Sequence, residues 1–257
     1  MKQNLLIILT VAMALSASAQ QNSQIVCQWT GMIDGTTAAG DQSTDVCTDK
    51  SGNVYWLGVY GTNPTNQDIK FNGQYLFTGD TSDADNSQNN NYTLLKTDAD
   101  GNKLWAVYST VGDFANNAGG CAMTSDGGLV TISKVRHSKY GTDKNITLVD
   151  ATGSETKLDW TCNDRYYRIM VNKISAAGNI EWTRLIDVST QPGPAASGNY
   201  SSFWPDCINV PGGCVVDSED NIYLPVNYRN PVTIAKADGT SVVLTPVNNK
   251  AWSGDSQ

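Results

Sequence analysis

Histidine is almost absent from this sequence: the only one among 257 residues is His137. A zinc site built from several histidines is therefore excluded, and a Ser-His-Asp triad would have to use this single residue. His137 lies in the polar, basic segment KVRHSKYG, which favours a solvated surface side chain. The sequence gives no support to histidine-based catalysis.

Charged residues, and basic ones in particular, are also scarce. Lys and Arg total 17 against 25 Asp and Glu, which gives a formal net charge of −8. Because an acidic surface repels phosphate, we expect no nucleic-acid partner. Charged residues make up only 16% of the chain, while Gly, Asn, Thr and Ser are frequent. This composition, without an amphipathic helical stretch after the N-terminus, predicts many short strands joined by tight turns.

Long apolar runs are missing except at the N-terminus. There Lys2 is followed by an apolar run from Leu5 to Leu15 and by the small-residue exit Ala17-Ser18-Ala19. This is the order of a secretory signal peptide, and the run is shorter than the about 20 apolar residues that span a membrane. We predict a signal peptide at residues 1–19. The protein is then exported to the periplasm, the outer cell surface or the extracellular space, with no membrane span.

Six cysteines occur in the chain: Cys27, Cys47, Cys121, Cys162, Cys207 and Cys214. Export permits their oxidation, and so many cysteines allow several different pairings. Only Cys207 and Cys214 are near neighbours, on either side of the turn-rich INVPGG, which makes them the disulfide candidate. The alternative is that the cysteines are buried, unpaired thiols in strands.

A repeat runs along the whole chain after the signal peptide. Trp105 closes GNKLW and Trp182 closes GNIEW 77 residues later, while Trp29 stands 76 residues before Trp105. A second motif follows each tryptophan, and a third, IKFNGQYLF in the first copy, follows the second. This order predicts repeats at about 29–104, 105–181 and 182–257. The recurring residues of the first motif are Gly101, Asn102 and Trp105, then Gly178, Asn179 and Trp182.

The cysteines fall at different positions of the second motif. Cys121 aligns with Cys214, whereas Val46 and not Cys47 stands at the equivalent position of the first copy. Because side chains of a strand alternate between its two faces, we expect Cys47 to point opposite to Cys121 and Cys214. On this basis the sequence does not support a ring of three cysteines.

Each repeated element has the composition of a strand. NVYWLGVY is rich in β-branched and aromatic residues, and FNGQ and ADGT contain the Asn-Gly and Asp-Gly pairs of tight hairpins. One repeat then comprises an inner strand, a second strand, an added hairpin, a third strand, a Gly-Asn turn and a fourth strand ending at Trp. We predict an all-β fold, a partial β-propeller of about three four-stranded antiparallel blades, each with an added hairpin. We expect the missing blades in the same longer polypeptide.

The combined pattern resembles a known family of repeats. D-x-x-G-N-x-Y-x-x-G, I-x-F and K-x-x-x-x-G-N-x-x-W, found between Ile25 and Val247, resemble the bacterial SBBP-type β-propeller repeat. The resemblance implies a propeller fold in an exported protein of a Gram-negative bacterium. It implies no reaction, because propellers host many unrelated functions. The second repeat departs from the pattern, since SDGGLV replaces the D-x-x-G-N-x-Y form.

The acidic stretch DADGNKLW, residues 98–105, shares features with three chemical motifs. A sialidase Asp box has its glycine three residues before the aromatic, but Gly101 stands four before Trp105. Asp98, Asp100 and Asn102 have the oxygen spacing of a calcium loop, but Lys103 occupies the glycine position and the acidic residues are absent from the next copy. The repeats of pyrroloquinoline-quinone enzymes share the Gly-to-Trp spacing but are about half as long. We predict no cofactor, with calcium as the remaining alternative.

Two segments that differ between repeats are the predicted binding loops. From Trp182 to Cys214 is 32 residues, against 16 from Trp105 to Cys121. Long loops on a rigid β scaffold often bind ligands, and aromatic side chains beside polar ones suit sugar rings or a protein partner. The alternative is that these aromatics pack against the blade as a lid. The candidate binding residues are Tyr200, Phe203 and Trp204 in the longer loop and Trp160 and Tyr166 in DWTCNDRYY.

These observations predict an exported, non-catalytic β-propeller binding or scaffold module that contacts protein or glycan through loops at the top of its blades. One alternative is a glycan-processing enzyme with carboxylates near the propeller axis, since paired carboxylates perform glycoside hydrolysis and their separation is not visible in a sequence. Another is a structural spacer of a larger surface protein. The loop aspartates considered for the enzyme are Asp34, Asp41, Asp45, Asp113, Asp159 and Asp164.

Overall fold

The described part of the chain consists of strands and turns. A computed structural model describes residues 29–34, 42–62, 68–79, 89–136, 145–158, 168–188, 208–209, 213–228, 232–235 and 240–245. Its contacts divide the chain into residues 1–30 and 31–257, and all the strands lie in the second part. No helix occurs in these ranges, and so none that would be long and apolar enough to cross a membrane. The predicted all-β class is confirmed, while the predicted signal peptide lies outside the described residues.

Nineteen strands occur among the described residues, most of them short. They are β1 (Ile33–Asp34), β2 (Gln42–Thr48), β3 (Val54–Thr62), β4 (Asp68–Phe71), β5 (Gln74–Thr78), β6 (Asn89–Thr97), β7 (Lys103–Val111), β8 (Asp113–Met123), β9 (Leu129–Arg136), β10 (Ile146–Val149), β11 (Glu155–Leu158), β12 (Arg168–Ile174), β13 (Ile180–Val188), β14 (Ile208–Asn209), β15 (Val215–Val216), β16 (Ile222–Tyr223), β17 (Asn227–Tyr228), β18 (Val232–Ala235) and β19 (Ser241–Leu244).

Two six-stranded antiparallel sheets dominate the fold. Sheet 1 has the order β2-β3-β6-β7-β10-β11, and sheet 2 has the equivalent order β8-β9-β12-β13-β18-β19. A three-stranded sheet, β1-β4-β5, and the pairs β14-β17 and β15-β16 complete the described architecture. The first four strands of each large sheet are the predicted four-stranded unit. No sheet closes on itself within the described ranges.

The added hairpin of each repeat joins the preceding sheet. β10-β11 follows β9 of sheet 2 in the chain, yet β10 pairs with β7 of sheet 1. β18-β19 pairs in the same way with β13 of sheet 2, and β4-β5 pairs with β1. The hairpins themselves are confirmed, but the prediction that each belongs to its own blade is wrong. Backbone hydrogen bonds of the β10-β11 hairpin therefore extend sheet 1 with a segment that follows a strand of sheet 2 in the chain.

The turn of the first hairpin shows why its sequence folds this way. Asn72 and Gly73 have φ angles of 50° and 78°. Two successive positive φ angles are those of a type I′ turn, which Asn-Gly favours and whose twist matches that of the flanking strands. A short polar turn between two β-rich runs thus fixes the register of β4 against β5, in which Phe71 faces Gln74.

Three apolar layers hold the sheets together. We call the face of a sheet that looks toward the next sheet in the chain its front face, and the opposite face its back face. The front face of sheet 1, with Tyr55, Leu57 and Val59, packs on the back face of sheet 2. The back face of sheet 1 packs on β1-β4-β5, and the front face of sheet 2 packs on Cys214 and the β15-β16 pair. The sheets are therefore stacked face to face.

The edge strands β2 and β8 of the two large sheets, which we call the innermost strands, approach one another closely. β8 lies beside β2 and beside β15. A Cβ atom added to Gly120 in β8 would collide with the backbone of Gly213, just before β15. One added to Gly119 would lie 3.0 Å from the carbonyl oxygen of Ile132. Because neither Gly120 nor Gly213 has a side chain, β8 and the chain just before β15 can touch through their backbones.

Candidate functional site

The predicted binding residues lie outside the described residues, but the strands on either side of their segments are described. Trp160 and Tyr166 belong to the segment between β11 and β12, and Tyr200, Phe203 and Trp204 belong to the segment between β13 and β14. In sheet 2, Ile186 near the end of β13 pairs with Ile169 near the start of β12. Both segments therefore leave from the same end of the sheets, which we call the loop end. The opposite end, where the Gly-Asn turns lie, is the turn end.

At the turn end, Asp98 of DADGNKLW is bound by its own turn. Its Oδ1 accepts the backbone N–H of Asp100 and of Asn102, at 3.0 and 2.8 Å, and its Oδ2 accepts the side-chain amide of Asn102 at 2.9 Å. The bonds from Asn102 lower the pKa of Asp98. Gly101 has a φ of 83°, which glycine adopts readily. The acidic residue at the start of this motif therefore forms the turn.

Other turns repeat this arrangement. Asp49 accepts the backbone N–H of Ser51 and both the backbone and side-chain N–H groups of Asn53. Asp217 accepts the equivalent hydrogen bonds from Glu219 and Asn221. Asp220 takes the glycine position of the last turn, with a φ of 61°. Its carboxylate accepts the N–H and hydroxyl of Ser125. The turns of successive repeats are thus joined directly.

The described turns contain no set of side chains arranged to bind calcium. Both carboxylate oxygens of Asp98 face N–H groups of the turn, and the equivalent residue of the next repeat, Ser175, accepts the N–H of Asn179 through its hydroxyl. Across the described ranges, no group of three or more His, Cys, Asp or Glu side chains has an arrangement that would hold a metal ion.

In the second repeat, the turn TSDGG (residues 124–128) lacks the first aspartate of the pattern but has a carboxylate at another position. Thr124 stands at the position of Asp98, and the carboxylate is supplied two residues later by Asp126. Asp126 Oδ1 accepts the N–H of Gly128 at 2.9 Å and the hydroxyl of Thr124 at 2.6 Å. The Lys173 ammonium donates to both oxygens of Asp126, at 2.8 and 2.9 Å. The hydrogen bond from Lys173 contributes most to holding the pKa of Asp126 well below its usual range.

The equivalent lysine of the first repeat links two sheets. Lys96 lies 3.5 Å from Asp49 Oδ2 and donates to the carbonyl of Ala176, in a turn of sheet 2, at 3.3 Å. Its ammonium lies 4.8 Å from the centre of the Tyr55 ring and 5.8 Å from that of Trp105. A cation over aromatic rings is attracted by their negative faces. The sequence showed the spacing of Lys96 and Lys173 but gave no sign of their partners.

Trp105 connects the Gly-Asn motif of one sheet to that of the next. Its indole N–H donates to the carbonyl of Ala176 at 3.3 Å, and a Cβ on Gly178 would lie 2.9 Å from its ring. Trp182 is partly buried on the front face of sheet 2. The prediction that the fourth strand ends at Trp is wrong, because β7 and β13 begin just before these residues and continue to Val111 and Val188.

Three cysteines and an aspartate gather on the innermost strands. The Sγ atoms of Cys47 and Cys121 are 2.9 Å apart, and Cys47 Sγ lies 3.8 Å from the sulfur of Met123. Asp45 Oδ2 accepts the N–H of Cys121 at 2.8 Å. Cys214 is a buried free thiol, 3.8 Å from the carbonyl oxygen of Val130, and burial raises its pKa to about 11. Its predicted partner, Cys207, lies outside the described residues, so that pairing stays a prediction.

The expectation that Cys47 and Cys121 point to opposite faces of their sheets is confirmed, and yet their thiols meet. Cys47 pairs with Tyr55, whereas Cys121 pairs with Thr131, the residue after the equivalent of Tyr55. The β-ladders therefore confirm that the two cysteines are one position apart in the aligned repeats. Cys47 is therefore on the front face of its sheet and Cys121 on the back face of its own. Because sheet 2 is stacked on the front face of sheet 1, these opposite faces meet.

Comparison with known proteins adds no family. No protein-family model matches the chain, and no curated protein matches it significantly. The resemblance to the SBBP-type repeat therefore stays a prediction that rests on the motifs themselves.

Proposed function

We propose that the chain is part of an exported, non-catalytic β-propeller that binds a protein or a glycan through loops at the loop end. The observation that carries this proposal is the common origin of the two aromatic-rich segments at one end of a rigid stack. The segment that contains Trp160 ends there, and the segment that contains Trp204 begins there. Side chains held on a rigid scaffold lose less freedom on binding, which favours affinity.

The propeller is supported by the stacking of equivalent four-stranded sheets. Their innermost strands run side by side, and each front face covers the next back face. The blades of a propeller are arranged in this way around a central axis. The antiparallel order β2-β3-β6-β7, repeated as β8-β9-β12-β13, is also that of propeller blades.

The absence of catalytic carboxylates from the turn end is part of the proposal. Asp49, Asp98, Asp126 and Asp217 each have their oxygens engaged by N–H groups of their own turn or by a lysine. Their pKa values are lowered, which keeps them ionised at neutral pH. A general acid for glycoside hydrolysis needs the opposite, a raised pKa. These residues are therefore assigned to structure.

The exposed front face of the third repeat supports the continuation of the stack. Tyr223 is equivalent to Tyr55, and each donates its hydroxyl hydrogen to the first aspartate of its turn. Tyr55 is covered by sheet 2 and fully buried, whereas Tyr223 is 57% exposed. Val215, equivalent to Cys47, is 63% exposed. We assign this face to a further repeat of the same longer polypeptide, because the same positions are covered by the next repeat in sheet 1.

The proposal is tested by screening the protein against printed arrays of cell-surface glycans and of purified surface proteins. We expect a bound ligand, and we expect Trp204→Ala and Tyr200→Ala to weaken its binding at least tenfold while the melting temperature stays within a few degrees. The matched control is Tyr75→Ala, which removes an exposed tyrosine from the β4-β5 hairpin.

Three outcomes would contradict the proposal. If Trp204→Ala unfolds the protein, the loop aromatics form a structural lid. Absence of any array ligand would favour a spacer of a larger surface protein. Turnover of a polysaccharide, abolished by a single loop Asp→Asn change, would show a glycan-processing enzyme.

A further inference from the structure

Cys47 and Cys121 meet where the innermost strands of sheets 1 and 2 pack. Their Sγ atoms, 2.9 Å apart, are closer than ordinary van der Waals contact between two sulfurs. A disulfide requires a further approach to about 2.05 Å. The backbone is already held at this point, because Asp45 Oδ2, two residues before Cys47, accepts the N–H of Cys121 at 2.8 Å.

The third cysteine of the cluster does not compete for either thiol. Cys214 occupies the position in the third repeat that Cys121 occupies in the second, and it packs on the front face of sheet 2. The residue of sheet 2 that is equivalent to Cys47 is Ala122, since Ala122 pairs with Val130 as Cys47 pairs with Tyr55. Cys214 therefore meets an alanine where Cys121 meets a thiol.

We infer that Cys47 and Cys121 form a disulfide that joins sheets 1 and 2 when the protein meets an oxidising thiol–disulfide pool. The oxidant is a disulfide, either of a small thiol or of a thiol oxidoreductase. Cys47, which is only partly buried, loses its proton and attacks the oxidant, so that one oxidant thiolate leaves and a mixed disulfide remains on Cys47.

The second step closes the bridge. Cys121 loses its proton, and its sulfur attacks the sulfur of Cys47 and displaces the second oxidant thiolate. Two protons and two electrons have then left the protein, and the oxidant disulfide has become two thiols. The hydrogen bond with Cys47 and burial raise the pKa of Cys121, which favours Cys47 as the first residue to react.

The bridge would join two strands that pack side by side without a β-ladder between them. It spans 74 residues of sequence and connects strands that share no β-ladder, since β2 pairs with β3 and β8 pairs with β9. A crosslink across a long loop restricts the unfolded chain and so stabilises the folded one. It also fixes the spacing of the two innermost strands.

Peptide mapping tests the inference directly. The full chain is folded in a glutathione redox buffer, denatured, alkylated without reductant and digested with trypsin. Cys121 is the only cysteine of tryptic peptide 104–134, whereas Cys47 shares peptide 3–50 with Cys27. We expect these two peptides to be linked, and to remain linked in a Cys27→Ser variant. Alkylation of both Cys47 and Cys121, or a link from Cys121 to another cysteine, would overturn the inference.

Thermal unfolding supplies a second readout that a packing role alone would not give. We expect reductant to lower the melting temperature of the wild type by about 5–15 °C. Cys47→Ser should lower it without reductant and lose the part of the sensitivity to reductant that this bridge supplies, whereas Cys214→Ser should keep that part. An unchanged melting temperature of the wild type in reductant would overturn the inference, even if a variant failed to fold.

Discussion

The indole N–H of Trp105 in sheet 1 donates a 3.3 Å hydrogen bond to the carbonyl of Ala176 in a turn of sheet 2. The ammonium of Lys96 donates to the same oxygen, also at 3.3 Å. One carbonyl in a turn of sheet 2 is thus bound by two side chains of sheet 1. The Gly-Asn-x-x-Trp motif therefore joins repeats at the turn end as well as turning the chain.

The contact between Trp105 and Gly178 predicts a costly substitution. Gly178 has a φ of 89°, and a Cβ there would lie 2.5 Å from the Cβ of Ala151 and 2.9 Å from the Trp105 ring. We expect Gly178→Ala to lower the free energy of unfolding by about 2–4 kcal/mol, as the sum of backbone strain and overpacking. Gly153→Ala is the matched control, because Gly153 has a φ of 85° but nothing within 4 Å of its Cβ position. It should cost about 1 kcal/mol. If urea unfolding gave the same loss of stability for Gly178→Ala and Gly153→Ala, the close packing around Gly178 would be contradicted.

A buried hydrogen bond between sheets predicts an energetic coupling. The hydroxyls of Tyr92 in sheet 1 and Thr131 in sheet 2 are 2.9 Å apart, and both residues are fully buried. We expect Tyr92→Phe and Thr131→Val each to cost about 1–2 kcal/mol, with a coupling of about 1 kcal/mol in a double-mutant cycle. Urea unfolding of the four proteins measures it. Fully additive effects would show that the two sheets do not meet at this point.

The Lys173–Asp126 pair predicts a pH dependence of stability. The pKa of Asp126 is lowered in the folded state, so its contribution is present above the pKa of the unfolded chain and is lost as the pH falls. Because about half of the Asp126 side chain is exposed and solvent screens its charge, we expect Asp126→Asn to cost only about 0.5–1 kcal/mol at pH 7. The variant should also lose less stability than the wild type between about pH 5 and pH 2. Denaturant unfolding across this pH range is the measurement.

The control for Asp126 is its equivalent in another turn. Asp100 stands at the same turn position, but its side chain is exposed and its hydrogen bond to Asp98 is made through its backbone N–H. Asp100→Asn should change the free energy of unfolding by less than about 0.5 kcal/mol. Equal effects of the two substitutions would show that the Lys173 bond contributes nothing specific.

Much of the strand pattern could be predicted from local chemistry. Gly101 and Gly178 mark turns because their positive φ angles suit glycine, and Asn72-Gly73 marks a hairpin for the same reason. The partner of that hairpin could not be predicted. An edge strand pairs with whatever backbone lies beside it, and here that is β1.

The cysteine cluster shows a second limit of prediction from sequence. The alternation of side chains correctly assigned Cys47 and Cys121 to different faces of their strands. It said nothing about which faces of neighbouring sheets meet, so it could not predict the contact between the two thiols. The candidate binding residues, such as Trp204, were chosen because their segment differs between repeats, and the structure locates only the strands that anchor it.

Excision of the longer loop tests the proposed function most directly. Deletion of residues 190–205 removes Tyr200, Phe203 and Trp204 and restores the 16-residue spacing that separates Trp105 from Cys121. Binding of the array ligand and the melting temperature are measured on the same preparation, beside the Trp204→Ala variant. We predict that both variants lose binding while melting within about 4 °C of the wild type. Retained binding without the loop, or unfolding of both variants, would contradict a scaffold that binds through this loop.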